Sequence, residues 1–569
     1  MRKLKGSSRI GTLYGELKGI MDTPALRKAR GAFFTPSTLA RFITDWAVRS
    51  PADTVLEPSC GDAAFLAPAV DRLRALGAPV GLDGQLHGVE IHAASAKAAT
   101  ARLAAQNAKV EIAIGDFFDQ TPPPKKFDVV IGNPPYVRYQ QFAGDARAKS
   151  LQAALAQGVR LTGLASSWAA FTIHASHFLK DTGRLGLVLP AELLTVNYAA
   201  QVRRFLLTRF AKVRLVLFEE LVFPDVLEEV VLLLAEGRGD APSFEVYQAR
   251  NLADLERICA DSWIGYVPSG DQKWTSALLP AAALDIYARL TEGPGFTNML
   301  GWGETYLGAV SGNNDWFSLD RAQAAKLGLK SNELLGISPP GSKHLRGLTF
   351  TQAAWESLAK EGKRCFLFAP GANPSAAARA YIAEGEAADV HKTYKCRKRS
   401  PWWRVPLVDR PDLLFTYMNH DRPRLITNDA DAQFLNSLYG VKLKAAVRAI
   451  GRELLPLASL NSATLLGAEV VGRAYGGGML KHEPKEADML PVPTPVTLEA
   501  IADELRAIRP QIGRALRSTK PQRAVELVDT ILLERHLGLS PSEVAGLRGA
   551  RDLLFQRRVT RSRSERVTN

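Results

Sequence analysis

The sequence predicts an α/β fold, a seven-stranded and mostly parallel sheet with helices on both faces. An α+β region and a C-terminal helical segment follow it. Three observations lead there. Between Thr54 and Glu236 short apolar, β-branched runs alternate with stretches of helical periodicity, the pattern of a parallel sheet with crossover helices. Several of the runs stop at glycine, proline or an acidic residue, as strands do where they meet a ligand-binding edge. Past Gly303 the texture turns to short strands, Gly/Pro/Asn turns and scattered aromatics, and residues 497–557 return to helical periodicity.

Taken in order, residues 1–30 read as a short basic helical arm. In Gly31-Ala-Phe-Phe-Thr-Pro-Ser37, Thr35 has N-cap character, and Leu39, Phe42, Ile43 and Trp46 follow at helical spacing. Such a helix start suits an anion or is simply a capped helix. The strands are Thr54–Glu57, Leu86–Ile91, Val110–Ile114, Phe127–Ile131, Arg184–Leu189, Val213–Phe218 and Glu229–Ala235. Helices span Ala63–Leu76, Ala93–Gln106 and about 166–179. Only about ten residues separate the last two strands, too few for a helical crossover, so they are expected to pair antiparallel.

The 569 residues carry 46% hydrophobic and 23% charged residues, ordinary for a globular chain, but a net charge of +14. That balance favours a polyanionic partner, nucleic acid before membrane, with a generally basic enzyme as the plain alternative. Four scattered cysteines form no CxxC pair, which argues against a zinc ribbon or disulfide scaffold and fits a reducing cytoplasm. No stretch approaches the length of a membrane span. His174 and His177 lie one helical turn apart but have no third partner nearby, so no metal is expected.

The centre of the chain is Phe127-Asp-Val-Val-Ile-Gly-Asn-Pro-Pro-Tyr136. A buried strand is broken by Gly132, and two prolines forbid both helix and further sheet pairing. Asn133 and Tyr136 therefore sit on a stiff turn at a strand's carboxyl end. The Asn133 side-chain oxygen and the Pro134 carbonyl can each accept one N–H of an exocyclic amine, and the Tyr136 ring can stack on a flat base. The plain alternative is a structural Asn-Pro turn. Glu57 closes the first strand and Gly61 lies in its turn, Glu90 closes the second and Asp116 follows the third. The chain has neither GxGxxG nor a P-loop, which weakens readings that need a nucleotide phosphate.

Asn133-Pro-Pro-Tyr136 resembles motif IV of the amino-methylating DNA methyltransferases. Gly31-Ala-Phe-Phe-Thr-Pro36 looks like motif X, Val55-Leu-Glu-Pro-Ser-Cys-Gly61 like motif I, Gly88-Val-Glu-Ile91 like motif II and Gly115-Asp-Phe-Phe118 like motif III. This order is similar to that of the gamma-class N6-adenine DNA methyltransferases of restriction–modification systems. The resemblance implies the class I S-adenosylmethionine-dependent fold. It also implies a catalytic domain at 1–245, a connecting region at 246–302, a DNA target-recognition domain at 303–495 and a helical segment with a basic tail at 496–569.

Carried over by position, the resemblance implies that Thr35 holds the methionine carboxylate of S-adenosyl-L-methionine. Glu57, Ser59 and Gly61 would line its methionine moiety, Glu90 would take the ribose hydroxyls, Asp116 and Phe117 would contact the adenine, and Pro135 would wall the site. Asn133 and Pro134 would hold the target amine, with Tyr136 stacked on the target base and Phe223, in a motif VIII position, covering its other side. Asp62 stands where the family often has a small residue.

In the C-terminal half, Lys392, Lys395, Arg397, Lys398, Arg399 and Arg404 are interleaved with Tyr394, Trp402 and Trp403 without an acidic residue, a composition suited to phosphate contact and base reading or, more plainly, to a solvated face. Arg473–Lys481 reads as a glycine-rich turn between strands, and the tail from Arg557 as disordered. The resulting expectation is a monomeric cytoplasmic enzyme that methylates adenine N6 in double-stranded DNA after flipping the base out. A separate endonuclease would be its partner. RNA adenine or protein glutamine methylation, N4-cytosine methylation, or a non-catalytic DNA-binding specificity protein are the alternatives, and a fused nuclease is disfavoured.

Overall fold

The computed structural model describes residues 35–567 apart from 138–141, 143, 221, 224–228, 269–272, 476–477 and 519, and no side chain at 281 or beyond 559. The expected N-terminal arm, the first four residues of the Gly31–Pro36 motif and two glycines of the Arg473–Lys481 turn lie outside the described residues. The chain divides into two compact units, Met1–Leu278 and Leu279–Asn569.

The first unit is built on one mixed sheet. Its strands are β1 (Val55–Glu57), β2 (Leu86–Glu90), β3 (Glu111–Ile114), β4 (Phe127–Gly132), β5 (Leu179–Pro190), β6 (Phe210–Phe218), β7 (Val230–Arg238), β8 (Phe244–Ala249) and β9 (Ile264–Tyr266). Their order is β3-β2-β1-β4-β5-β7-β6-β8-β9. Strands β1 to β5 run parallel, and β7 is antiparallel to both β5 and β6, as the short connection requires. The sheet goes on beyond the seven expected strands, because β8 adds parallel to β6 and β9 antiparallel to β8.

Helices α1 (Ser37–Ala47), α2 (Leu66–Ala75), α3 (Ala93–Ala105) and α5 (Ser167–His177) supply the layers, and α4 (Gly144–Ala156) precedes α5. Leu39 and Ile43 of α1, Leu66, Val70 and Leu73 of α2 and Val129 and Ile131 of β4 are fully buried in a common core. The order reverses between β1 and β4: β1 leads outward to β2 and β3, while β4 lies on its other side. Open α/β sheets form their crevice at such a switch point. The ends of β1, β2, β3 and β4 all face it.

In the second unit a five-stranded sheet runs in the order Gly303–Leu307, Tyr439–Leu443, Leu413–Phe415, Leu425–Asn428, Thr349–Phe350, with three smaller sheets beside it. Helices occupy Ala502–Arg517, Gln522–Asp529 and Pro541–Val567. The last of these corrects the expectation of a disordered tail from Arg557. Arg557 and Arg558 are buried, and Arg558 forms a buried pair with Glu469 at 2.8 Å. A buried guanidinium needs such a partner, and forming it holds the helix in place.

Candidate active site

At the switch point lies a cavity of about 280 Å³. All eight residues expected to hold the cofactor line it: Thr35, Glu57, Ser59, Gly61, Glu90, Asp116, Phe117 and Pro135. They come from five separate segments of sequence. Asn133 lines it as well; Pro134, Tyr136 and Phe223 do not.

Local chemistry explains each position. The β1–α2 turn passes through Gly61 at φ +52°, and a Cβ built there would have no neighbour within 4 Å. The left-handed turn favours glycine, and the bare backbone there borders the cavity. Glu90 closes β2, and its two carboxylate oxygens accept from the Gly61 and His92 amides, each at 2.9 Å. Asp116 accepts from the Phe118 amide at 3.0 Å and so caps the single turn Phe117–Asp119. Phe117 is buried against Phe171, His174 and Phe178, with ring centroids 4.9, 4.7 and 5.0 Å away. His174 fixes this cluster, its Nε2 lying 3.1 Å from the Phe117 carbonyl, and burial lowers its affinity for a proton.

Two residues have a different local job from the expected one. Glu57 is buried, and its carboxylate accepts from Phe65 at 3.2 Å and Leu66 at 2.9 Å, which caps the start of α2. Burial pushes its carboxyl well above the ordinary range, although the two amides pull the other way. Thr35 does not cap α1: Pro36 occupies the N-cap position with no side-chain cap bond. The Thr35 hydroxyl instead accepts from Asn133 Nδ2 at 3.2 Å.

The Asn-Pro-Pro-Tyr turn is pinned at several points. Ser59 Oγ donates to the Asn133 carbonyl at 3.3 Å, and the Ser167 hydroxyl holds both the Pro135 carbonyl and, at 2.8 Å, the Val137 amide. The Tyr136 hydroxyl lies 2.7 Å from Asn133 Oδ1 and 2.9 Å from the Val188 carbonyl. Among the described residues, none donates a hydrogen bond to the Pro134 carbonyl. The turn thus holds a carboxamide of fixed orientation next to a main-chain carbonyl with acceptor capacity.

Among the described residues, the cavity wall carries four carboxyl groups, Glu57, Asp62, Glu90 and Asp116, and no lysine or arginine. That lining fits a flat, polar, cationic ligand and disfavours a phosphorylated one. Cys60 is present, but burial and the neighbouring Glu57 and Glu90 push its thiol far up, so it is no nucleophile. Sequence reasoning missed Ile91, Phe118 and Phe171 in the wall. Ile91 left a signal, an apolar residue directly after the acidic strand end; the structure leaves it 48% exposed.

The other expected residues are more dispersed. Phe223 is 3% exposed and lies in the core of the first unit. In the second unit Lys395, Arg397, Lys398 and Arg404 are exposed, Tyr394 is exposed with Lys395 and Arg397 over its ring, and Lys392 pairs with Asp389 at 2.8 Å. Arg399 differs: its guanidinium donates to the Ser311 carbonyl at 2.8 Å and also to that of Val310. Trp402 and Trp403 pack against buried cores, and Trp402 Nε1 donates to Glu386 at 3.0 Å.

Residues 14–253 match the N-6 DNA Methylase family model, and residues 271–533 match that of the Type II methyltransferase M.Eco57I, C-terminal domain. Together the two matches support the resemblance to the gamma-class N6-adenine DNA methyltransferases of restriction–modification systems. Along most of its length the chain is similar to Type II methyltransferases. It is 24% identical to the Type II methyltransferase M.AccI of Acinetobacter calcoaceticus over 81% of this chain and 84% of that one. It is 25% identical to M.XamI of Xanthomonas campestris pv. amaranthicola over 83% and 86%. The Type IIL restriction-modification enzyme MmeI, solved in complex with DNA, shares the fold with a TM-score of 0.55 at 12% identity, over 97% of this chain and 81% of that one.

Proposed function

We propose that this enzyme transfers a methyl group from S-adenosyl-L-methionine to the N6 amine of an adenine flipped out of double-stranded DNA, at a sequence that a separate restriction endonuclease would cut. The observation that carries the reading is the junction of two features: a cavity rich in carboxyl groups and, among the described residues, without lysine or arginine, and the Asn133 carboxamide at its edge. S-adenosyl-L-methionine, when bound, supplies an electrophilic methyl on a positively charged sulfur. Thr35, Ser59 and Gly61 would hold its amino-acid end, Glu90 its ribose hydroxyls, and Asp116 with Phe117 its adenine. Glu57 would contribute chiefly by fixing the β1–α2 turn.

On the other side of the methyl group, the Asn133 side-chain oxygen and the Pro134 carbonyl accept the two N–H bonds of the target amine. These bonds draw the nitrogen toward a tetrahedral shape and free its lone pair from the ring. Catalysis then rests on positioning and on fixed dipoles, and the surplus proton leaves to water. Flipping costs a few kcal/mol, offset by stacking of the base on Tyr136 and by cationic contacts from the second unit.

The test is methyl transfer by the purified enzyme, followed by nucleoside analysis of the DNA. N6-methyladenine is the expected product, and Asn133→Ala is expected to abolish it while cofactor binding persists. N4-methylcytosine as the product, or full activity of the variant, would overturn the reading.

A further inference from the structure

The second unit holds a cavity of about 570 Å³ that the methyl-transfer chemistry does not use. It is walled by the segment Asp421–Arg422, by Ser462 and Leu465, by the start of the Gln522–Asp529 helix and by one face of the Pro541–Val567 helix. Five cationic side chains line it against three carboxylates. Most of these charges are matched. Arg548 pairs with Asp529 at 2.7 Å, Arg523 with Glu526 at 3.1 Å and Arg551 with Asp552 at 3.0 Å. Asp421 is taken by Arg424, which donates to both of its oxygens at 2.8 and 2.9 Å.

Arg422 is left over. Its side chain is only 11% exposed, and its one ion pair among the described residues is a long contact of 3.8 Å to the already engaged Asp421. Its Nε is buried without a hydrogen-bond partner. Burial pushes this guanidinium below its ordinary value; Asp421 opposes that, and the like charges of Arg424, Arg551 and Arg346 reinforce it. Folded proteins rarely bury a charge with its donors unmet, and where they do a missing anion is the physical explanation to test. Lys520, at the opening of the Gln522–Asp529 helix, likewise has no ion pair among the described residues. The helix start adds the positive end of its dipole.

We infer that this cavity binds a phosphate group, with Arg422 as its buried anchor and Lys520 as its outer contact. Arginine presents a planar fork that matches phosphate oxygens. Leu465, Pro521, Val525 and Phe555 supply an apolar wall for whatever the phosphate carries. The volume lies within the range of small-ligand sites, about 300–1,000 Å³. A DNA backbone phosphate and a free nucleotide share this chemistry. The site goes beyond the methyl-transfer reading, and cofactor binding reports on that reading separately.

The test measures binding of inorganic phosphate, adenosine 5′-monophosphate and a short non-specific duplex to the full chain and to its Arg422→Met and Lys520→Met variants. Arg422→Met removes a buried charge whose only ion pair among the described residues is a long 3.8 Å contact, so the free variant is expected to melt no lower than the parent. Lys520→Met alters an exposed side chain and keeps the test valid if the first variant folds poorly. At least one probe is expected to bind each variant about tenfold or more weakly, as removal of one charge-assisted hydrogen bond predicts. If the source is DNA, the duplex loses affinity and its salt slope falls by about 0.9. If it is a free nucleotide, the monophosphate loses affinity and the duplex does not. Parental affinity of both variants for all three probes would overturn the inference. So would a lower melting temperature of Arg422→Met together with unchanged binding in Lys520→Met.

Discussion

Replacing Tyr136 by phenylalanine separates two contributions that one side chain makes. The hydroxyl lies 2.7 Å from Asn133 Oδ1 and 2.9 Å from the Val188 carbonyl. It has one proton, so it donates to one of them at a time. When it donates to Asn133, that oxygen still has a lone pair for the target amine, and the Thr35 contact on Nδ2 fixes which way the carboxamide points. Removing one neutral hydrogen bond costs about 0.5–1.5 kcal/mol, or about 2- to 13-fold in rate. The loss belongs in the methyl-transfer step, because the bond orients the acceptor without touching DNA. Tyr136→Ala also removes the ring. It forfeits about 1–3 kcal/mol of base stacking, a further 5- to 160-fold by about the same conversion, and it should reduce quenching of a 2-aminopurine placed at the target position. Single-turnover transfer from labelled cofactor measures both. A Phe variant as inactive as Asn133→Ala, or an Ala variant no worse than the Phe variant, would refute the division of labour.

Three further outcomes are expected. Gly61→Ala places a methyl with no neighbour within 4 Å at φ +52°, beside the cavity that Gly61 lines; it should cost about 1–2 kcal/mol of stability from the left-handed backbone and weaken S-adenosyl-L-methionine in calorimetry, and unchanged affinity would remove Gly61 from the site. Glu57 has a carboxyl raised chiefly by burial, so the folded chain holds that proton more firmly than the unfolded chain. Its contribution to stability is complete below the unfolded value and is lost as pH rises through the folded value, so the melting temperature of Glu57→Gln should gain on the parent over that climb, and parallel curves would exclude the linkage. Neutralising Lys395, Arg397 and Lys398 together should weaken binding to every duplex and lower the salt slope by about 0.9 for each phosphate that these side chains neutralise, whereas Arg399→Ala should act mainly through stability.

The sheet was legible because its signals are local. Each parallel strand of the first unit is an apolar run with a defined end, and the interval between Phe218 and Glu229 was too short for anything but an antiparallel return. That the residues expected to hold a cofactor come together was legible for a related reason. They cluster at strand ends, and topology alone carries β1 to β4 to one edge. What escaped depends on partners distant in sequence. Arg399 looked like a surface cation until the carbonyls of Val310 and Ser311 met its guanidinium. Arg558 looked like part of a loose tail until Glu469 buried it. Phe171 contributes to the cavity from within a helix whose pattern announced only packing.

Charge gives the two ligands their separate places. The chain is strongly basic, at +14, yet among the described residues the cavity under the Asn-Pro-Pro-Tyr turn has carboxyl groups and no lysine or arginine. Under the proposed reading, such a cavity would disfavour a polyanion and favour a positively charged methyl donor. Transfer would remove the positive charge from the sulfur, so the product would be held less strongly by Asp62, Glu90 and Asp116 than the donor was.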